Sequence, residues 1–174
     1  MPNHINSSAS FGKRQEYAVI AELLRRGYDV YQTFVDDKGI DCIVRLNSRE
    51  PRYIDIQVKA RSKDCNPRNA WRFSTFEINN PRPNDYFNFY SEFIDTYWVI
   101  PSLELVSTSL RLKSGLSKGK YSVNFCNLRA NGKITARPKF NAYKNRFNLL
   151  KGYTAENNTG ALIFNRQGIC RVIV

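Results

Sequence analysis

Apolar and polar residues alternate most regularly along residues 53–60. The apolar positions of this stretch are Ile54, Ile56 and Val58. The polar positions between them are Asp55, Gln57 and Lys59. A period of two over this length predicts a β-strand with one face in the core. The other face would then present an acid, an amide and an amine close together.

The remaining hydrophobic pattern predicts an alternation of helices and strands. Apolar residues at helical spacing predict a helix over residues 13–26, ended by Gly27. Aromatic residues over 85–94 predict a short helix packed in the core, with a base-stacking platform as the alternative. A third helical spacing covers residues 140–150. Strands are predicted over 28–35, 40–46, 71–78, 96–100, 121–125 and 132–136, with a terminal hairpin over 161–174.

The short loop between the second and third predicted strands favours an antiparallel hairpin. Folding the chain about the middle of that loop places Asp41 opposite Val58 or Lys59. Asp41 would therefore lie beside Gln57 and Lys59. A structural ion pair between Asp41 and Lys59, on an ordinary solvated strand face, is the simpler alternative.

Glu16 lies on the apolar side of the first predicted helix, in line with Val19, Ile20 and Leu23. A carboxylate on a stripe that faces the core needs a partner. The simpler explanation is an acid in the first helical turn, stabilised by the helix dipole.

The length of 174 residues suits one globular domain, predicted over residues 11–174 after a flexible tail, residues 1–10. No apolar run is long enough to span a bilayer, and the N-terminal residues do not resemble a secretory signal. We therefore expect a cytoplasmic protein with no membrane partner. The order of elements predicts an α/β fold with a central mixed β-sheet flanked by helices.

Histidine and cysteine chemistry is nearly excluded by composition. The only histidine, His4, lies in the predicted tail, which argues against histidine general bases and histidine metal sites. The four cysteines are scattered without a C-x-x-C pair, which favours reduced thiols over disulfides or zinc ligands.

The net charge of +12 is concentrated in the last part of the chain. Residues 1–104 contain 14 basic and 14 acidic side chains, whereas residues 105–174 contain 13 basic side chains and one acidic, Glu156. Such asymmetry indicates a polyanionic partner, with DNA favoured over an anionic membrane surface or a merely soluble basic surface.

Three segments taken together resemble the PD-(D/E)XK nuclease superfamily. They are a helix with Glu16 before Gly27, then Asp37-Lys-Gly-Ile-Asp41, then Ile56-Gln-Val-Lys59. The Q-x-K form is similar to the Mrr-like restriction endonucleases, with Holliday-junction resolvases as relatives. Gly-Ile-Asp stands where the commonest pattern has Pro-Asp, and Gln57 stands where it has Asp or Glu. The motifs cover roughly the first 60 residues, and Tyr97–Pro101 more loosely resembles a later core strand.

The resemblance implies a restriction-endonuclease-like core and a Mg²⁺-dependent endonuclease acting on DNA, with Mn²⁺ as a substitute ion. The catalytic residues it implies are Glu16, Asp41, Gln57 and Lys59. The metal would be held by Asp41, the side-chain oxygen of Gln57, the backbone carbonyl of Val58 and Glu16, with Asp55 as a reserve ligand. The side chains expected to bind nucleic acid are Lys13, Arg14, Arg61 and Lys63.

Two other functions stay open from the sequence. One is a DNA-binding module that has kept the fold and lost the chemistry, because Gln57 lowers the negative charge at the metal. The other is a ribonuclease or a protein-binding component of a defence system. Cleavage of both DNA strands would favour a homodimer with two-fold symmetry.

Overall fold

The computed structural model describes residues 8–35, 39–47, 50–129 and 132–151. In that part of the chain the α-helices are α1 (Ser8–Arg25) and α2 (Ser102–Thr108). The strands are β1 (Asp29–Gln32), β2 (Cys42–Leu46), β3 (Arg52–Arg61), β4 (Arg72–Phe76), β5 (Asp85–Ser91), β6 (Thr96–Pro101), β7 (Leu110–Arg111), β8 (Tyr121–Asn124), β9 (Cys126–Leu128) and β10 (Ile134–Ala136). Short 3₁₀ turns cover Asn69–Trp71, Pro138–Phe140 and Phe147–Leu150.

A five-stranded sheet in the order β1-β2-β3-β5-β6 forms the centre of the fold. Its strands pair antiparallel except for β3 and β5, which are parallel, so the sheet is mixed. A three-stranded sheet, β4-β8-β7, and a two-stranded sheet, β10-β9, complete the strands. The predicted α/β architecture, a central mixed sheet with flanking helices, is confirmed.

Helix α1 begins at Ser8 rather than at the predicted Lys13 and ends where the sequence indicates. Gly27 adopts a φ of 78°, a conformation that glycine enters without steric cost. The N–H of Tyr28 donates to the carbonyl of Leu23, and the N–H of Gly27 donates to that of Leu24. These two bonds are a Schellman motif, which satisfies carbonyls at the helix end. Of the predicted tail, residues 8–10 are helical and residues 1–7 lie outside the described part.

Two hydrophobic clusters lie on opposite faces of the central sheet. One joins Val19 and Leu23 of α1 to Ile54, Ile56 and Val58 of β3. The other is aromatic and joins the central sheet to the three-stranded sheet, and its members include Phe73, Phe76, Phe87, Phe89, Trp98 and Phe125. Because side chains alternate along a strand, β3 and β5 each supply residues to both faces.

The prediction of a helix over residues 85–94 is wrong, because this segment contains β5. Residues 86–91 are buried, and consecutive aromatic side chains enter the two clusters in turn: Tyr86 packs under α1 and Phe87 against the second sheet. A strand buried on both faces carries no period-two pattern. The alternative of a base-stacking platform fails for Tyr86, Phe87, Phe89 and Tyr90, since these four rings form the core, whereas Phe93 after the strand is exposed.

The helical spacing over residues 140–150 corresponds to two 3₁₀ turns rather than one helix. Phe140 and Phe147 are both buried, but the chain between them makes a β-bridge from Lys144 to Trp98. The apolar positions therefore reach different clusters, Phe140 the aromatic one and Phe147 the one under α1. The predicted hairpin over 161–174 lies outside the described residues.

No helix in the described part of the chain has both the length and the apolar character needed to cross a bilayer.

Candidate active site

The predicted hairpin of β2 and β3 is confirmed, but its register differs from the prediction. Leu46 pairs with Arg52 and Cys42 pairs with Ile56. One more step along this ladder sets Asp41, just before β2, opposite Gln57 instead of Val58 or Lys59. Five positions, 47–51, separate the last pair of the ladder, so the hairpin is centred on position 49. The prediction centred it between positions 49 and 50, which moves the partner of Asp41 by one or two residues.

Two hydrogen bonds anchor Asp41 to β3. Its backbone N–H donates to the carbonyl of Ile56 at 2.9 Å, and its Oδ2 accepts the backbone N–H of Val58 at 2.6 Å. The residue is buried, with 7% of its surface exposed. A hydrogen bond from an N–H to a carboxylate fixes the orientation of the acid. The structure therefore brings Asp41 against the Gln57-Val-Lys59 segment.

The segment that leads to Asp41 passes close to the side chain of Gln57 at Gly39. Gly39 adopts a φ of 70°, and a Cβ at this position would lie 2.5 Å from Nε2 of Gln57. The left-handed conformation favours glycine, and a Cβ here would displace the end of the Gln57 side chain. The backbone of Gly39 thus lies directly on the Gln57 amide and limits its positions.

Gln57 and Lys59 project from the face of the central sheet that lies away from α1. Their strand neighbours Ile56 and Val58 belong to the cluster under α1. Their partners in the β3–β5 ladder are Phe87 and Phe89, which belong to the aromatic cluster. Alternation of side chains therefore places Gln57 and Lys59 on one face, at the margin of the second sheet.

Glu16 approaches from α1, on the other face of the central sheet. Its carboxylate is 2.7 Å from Nζ of Lys13, and 19% of its side chain is exposed. The hydrogen bond to Glu16 is the main cause that raises the pKa of Lys13, and the charge of Asp41 also raises it. Burial raises the pKa of the Cys42 thiol to about 12, with contributions from Asp41 and Glu16. Glu16, Asp41 and Lys13 therefore share one electrostatic neighbourhood.

Asp55, the reserve ligand predicted from the sequence, is held by an arginine. Its Oδ2 accepts a hydrogen bond from Arg82 at 2.8 Å. Burial raises the pKa of Asp55, while the charge of Arg82 opposes that rise. Its partner in the parallel ladder is Asp85, on β5. This carboxylate belongs to the junction of β3 and β5.

The side chains expected to bind nucleic acid differ in their surroundings. Arg14 reaches Glu92 at 3.4 Å, and the same carboxylate oxygen accepts the backbone N–H of Lys63 at 3.1 Å. Nε of Arg61 donates to the carbonyl of Arg72 at 2.7 Å, and burial lowers the pKa of Arg61. Arg61 thus joins β3 to β4, whereas the side chain of Lys63 is exposed.

The donor groups around Asp41 suit a hard divalent cation. Mg²⁺ prefers oxygen ligands and is commonly held by one or two carboxylates together with water. Asp41 supplies a carboxylate, and Gln57 and Val58 supply neutral carbonyl oxygens. No group of three or more His, Cys, Asp or Glu side chains suited to a metal occurs among the described residues. A set containing a glutamine and a backbone oxygen does not depend on such a group.

Two structural residues of this region were missed from the sequence. Gly39 belongs to the motif that ends at Asp41, and a glycine two residues before a candidate ligand is a signal of close packing, but its contact with Gln57 does not follow from the sequence. Glu92 joins α1 to the loop after β3, and it lies 78 residues from Arg14. Nothing local in the sequence points to that pairing.

Comparison with known proteins identifies a structural neighbour and no sequence family. No family model matches the chain, and no curated protein matches it. The fold is similar to that of a bacterial homing endonuclease, I-Ssp6803I, with a TM-score of 0.60 and 16% sequence identity. The superposition covers 87% of this chain and 98% of that one. The likeness shows that the two chains share a fold.

Proposed function

We propose that this protein is a divalent-metal-dependent endonuclease that hydrolyses phosphodiester bonds in DNA. Its site would follow the PD-(D/E)XK pattern, in the Q-x-K form of the Mrr-like branch. The observation that carries the proposal is the hydrogen bond between Asp41 and the backbone of Val58, between Gln57 and Lys59. The similarity of the fold to a bacterial homing endonuclease supports it.

Each residue of the proposed site has a role that its chemistry suits. A bound Mg²⁺, replaceable by Mn²⁺, would neutralise charge on the scissile phosphate and lower the pKa of the attacking water. Asp41 would hold the ion with its carboxylate, assisted by the oxygens of Gln57 and Val58. Lys59 would orient the water and stabilise the negative charge that develops on the phosphate. Glu16 would hold a further water from the side of α1.

Basic side chains would supply most of the affinity for DNA. Lys13, Arg14 and Lys63 would contact phosphates beside the proposed site, and Arg61, which joins β3 to β4, would hold the loop that carries Lys63. Lys13 and Arg14 are paired with Glu16 and Glu92, so phosphates would replace carboxylates as their partners. Contacts of this kind give affinity that falls steeply with salt and depends little on sequence.

The test is metal-dependent nicking of supercoiled plasmid DNA by the purified protein. We expect cleavage with Mg²⁺ or Mn²⁺ and none in EDTA. Lys59→Ala should abolish cleavage and leave DNA binding largely intact. Lys144→Ala, which removes an equal charge from an exposed position, should retain cleavage at saturating protein. Retention of full activity by Lys59→Ala would refute the assigned site.

A DNA-binding module without catalytic activity is the second candidate. The neutral Gln57 favours it, because an amide in place of a carboxylate lowers the negative charge at the proposed metal site. Salt-sensitive binding to duplex DNA, with no cleavage under any divalent ion, would establish this function instead. A panel of duplex, branched and single-stranded DNA and of RNA would identify a ribonuclease.

A further inference from the structure

The hairpin between β7 and β8 carries a fully exposed leucine at its tip. Leu116 has a relative exposure of 108%, the highest among the exposed large hydrophobic residues that the structure describes. Isolated exposed leucines are common and need no explanation by themselves. The surroundings of Leu116 are unusual in two respects, which are the order of its loop and the charge around it.

Backbone hydrogen bonds hold the loop in one shape. The N–H of Lys118 donates to the carbonyl of Gly115 at 3.0 Å, which closes a turn over Leu116. At the base of the loop, the N–H of Leu112 donates to the carbonyl of Lys120, and the N–H of Gly119 donates back to Leu112, each at 2.8 Å. The leucine is therefore presented by an ordered turn.

The charge of the hairpin is of one sign. Lys113 and Lys118 flank Leu116 and are exposed, and Arg111 lies at the base beside Tyr121. Lys120 pairs with Glu77 at 3.4 Å, across to β4. Residues 105–129 and 132–151 contain no acidic side chain. An apolar tip between two exposed lysines is complementary to a polyanion that has an apolar interior.

The hairpin belongs to the sheet that covers the face of Gln57 and Lys59. Phe73 and Phe76 of β4 and Val123 of β8 pack in the aromatic cluster with Phe87 and Phe89, the ladder partners of Gln57 and Lys59. The hairpin therefore belongs to a sheet on the same side of the central sheet as Gln57 and Lys59.

We infer that the tip of this hairpin enters a groove of duplex DNA and that Leu116 inserts as a wedge between base steps. Lys113 and Lys118 would contact the phosphates on either side. Proteins that insert leucine in this way partly unstack the bases and bend the duplex. This inference rests on the proposed action on DNA and adds a recognition element outside the catalytic residues.

The test uses a Lys59→Ala background, so that DNA is bound and not cut. The probe is a duplex of alternating adenine and thymine with 2-aminopurine at scattered adenine positions, whose emission rises when its base is unstacked. We expect the emission to rise on binding. Leu116→Ser should abolish the rise and weaken binding by about tenfold. Leu24→Ser, at a half-exposed leucine on α1 across the central sheet, should change neither.

Salt dependence separates the wedge from the phosphate contacts. Lys118→Gln should reduce the slope of log Kd against log salt concentration by about one, whereas Leu116→Ser should leave that slope unchanged. Equal emission and affinity for Leu116→Ser and the parent protein would overturn the wedge. A change of oligomeric state in Leu116→Ser with unaltered DNA binding would also overturn it, because the tip would then be a protein interface.

Failure of the wedge and failure of the proposed function give different results. If Leu116→Ser in the otherwise native protein still nicks plasmid and binds as before, the nuclease stands and the wedge falls. If the native protein neither binds nor cuts DNA under any divalent ion, the proposed function falls first, and the wedge with it.

Discussion

Two aspartates lie beside β3, and the structure gives them different partners. Asp41, before β2, accepts a backbone N–H from Val58. Asp55, on β3 itself, accepts a hydrogen bond from the guanidinium of Arg82, at the junction with β5. In the sequence both are plausible oxygen ligands at the same strand.

The difference between these partners distinguishes the aspartate of the proposed site from one in a structural contact. An arginine neutralises the charge of the carboxylate it binds, so Asp55 has little net charge to offer a cation. The backbone N–H of Val58 instead holds the carboxylate of Asp41 between Gln57 and Lys59. The proposed site therefore uses Asp41, and Asp55 is better explained as part of the sheet.

Exchange of each carboxyl for an amide tests this comparison most strongly. Asp41→Asn should reduce the rate of DNA nicking by on the order of 10²–10³, because it removes the negative charge that would attract the cation and leaves only neutral oxygen ligands on β2 and β3. The amide oxygen can still accept the N–H of Val58, so the fold should survive. Asp55→Asn should change the rate only a few-fold. Initial rates at saturating Mg²⁺, with circular dichroism as a check of folding, measure both.

The comparison breaks if the two variants lose activity equally. Asp55 would then also take part in the reaction, and Arg82 would be part of the site.

Substitution at Gly39 tests whether the segment before Asp41 positions Gln57. Gly39→Ala should cost about 1–2 kcal/mol in the free energy of unfolding, from the left-handed backbone. Its Cβ would also displace the Gln57 amide, since it would lie 2.5 Å from Nε2. Displacement of the Gln57 amide by the added methyl group should reduce nicking by on the order of 10².

Gly27→Ala is the matched control for this experiment. Gly27 has a φ of 78°, close to the 70° of Gly39, but a Cβ there would meet no atom within 4 Å. We expect a similar loss of stability on urea unfolding with nicking unchanged. Equal loss of activity in both variants would show that backbone strain, rather than the contact with Gln57, is responsible.

The local parts of this comparison were accessible from the sequence, and the long-range parts were not. The helix before Gly27 and the strand over residues 53–60 follow from periodicity, because each element has one buried face. The short loop predicts the hairpin, but the register depends on which residues form the last pair before the loop. That pair is Leu46 and Arg52, which places Asp41 opposite Gln57.

The strand β5 and the partner of Asp55 could not be predicted from the hydrophobic pattern, for a physical reason in each case. In β5 both faces are buried, Tyr86 under α1 and Phe87 against the second sheet, so the strand has no polar side to mark its period. Arg82 lies between two prolines in the segment before β5 and reaches Asp55 across 27 positions. Such a pairing needs the parallel alignment of β3 and β5, which no local signal encodes.

The smallest expected effect concerns how Asp55 changes the free energy of unfolding of the protein as the pH changes. Burial raises its pKa above the ordinary value of 3.8. Because folding raises this pKa, the protonated Asp55 stabilises the protein. Its contribution is complete below pH 3.8 and is lost as the pH rises through the pKa of the folded state. Relative to wild type, Asp55→Asn should therefore gain stability between acid and neutral pH. The gain should be under about 1 kcal/mol, because the carboxyl is partly solvated.

Urea unfolding of both proteins below pH 3.8 and at neutral pH measures this change, with the wild-type difference subtracted at each pH. Comparing across pH removes any constant effect of the amide itself. If Asp55→Asn instead loses stability relative to wild type as the pH rises, the attraction of Arg82 exceeds the cost of burial. The ionised Asp55 would then stabilise the junction of β3 and β5 through a net favourable ion pair, and its separation from Asp41 would be sharper still.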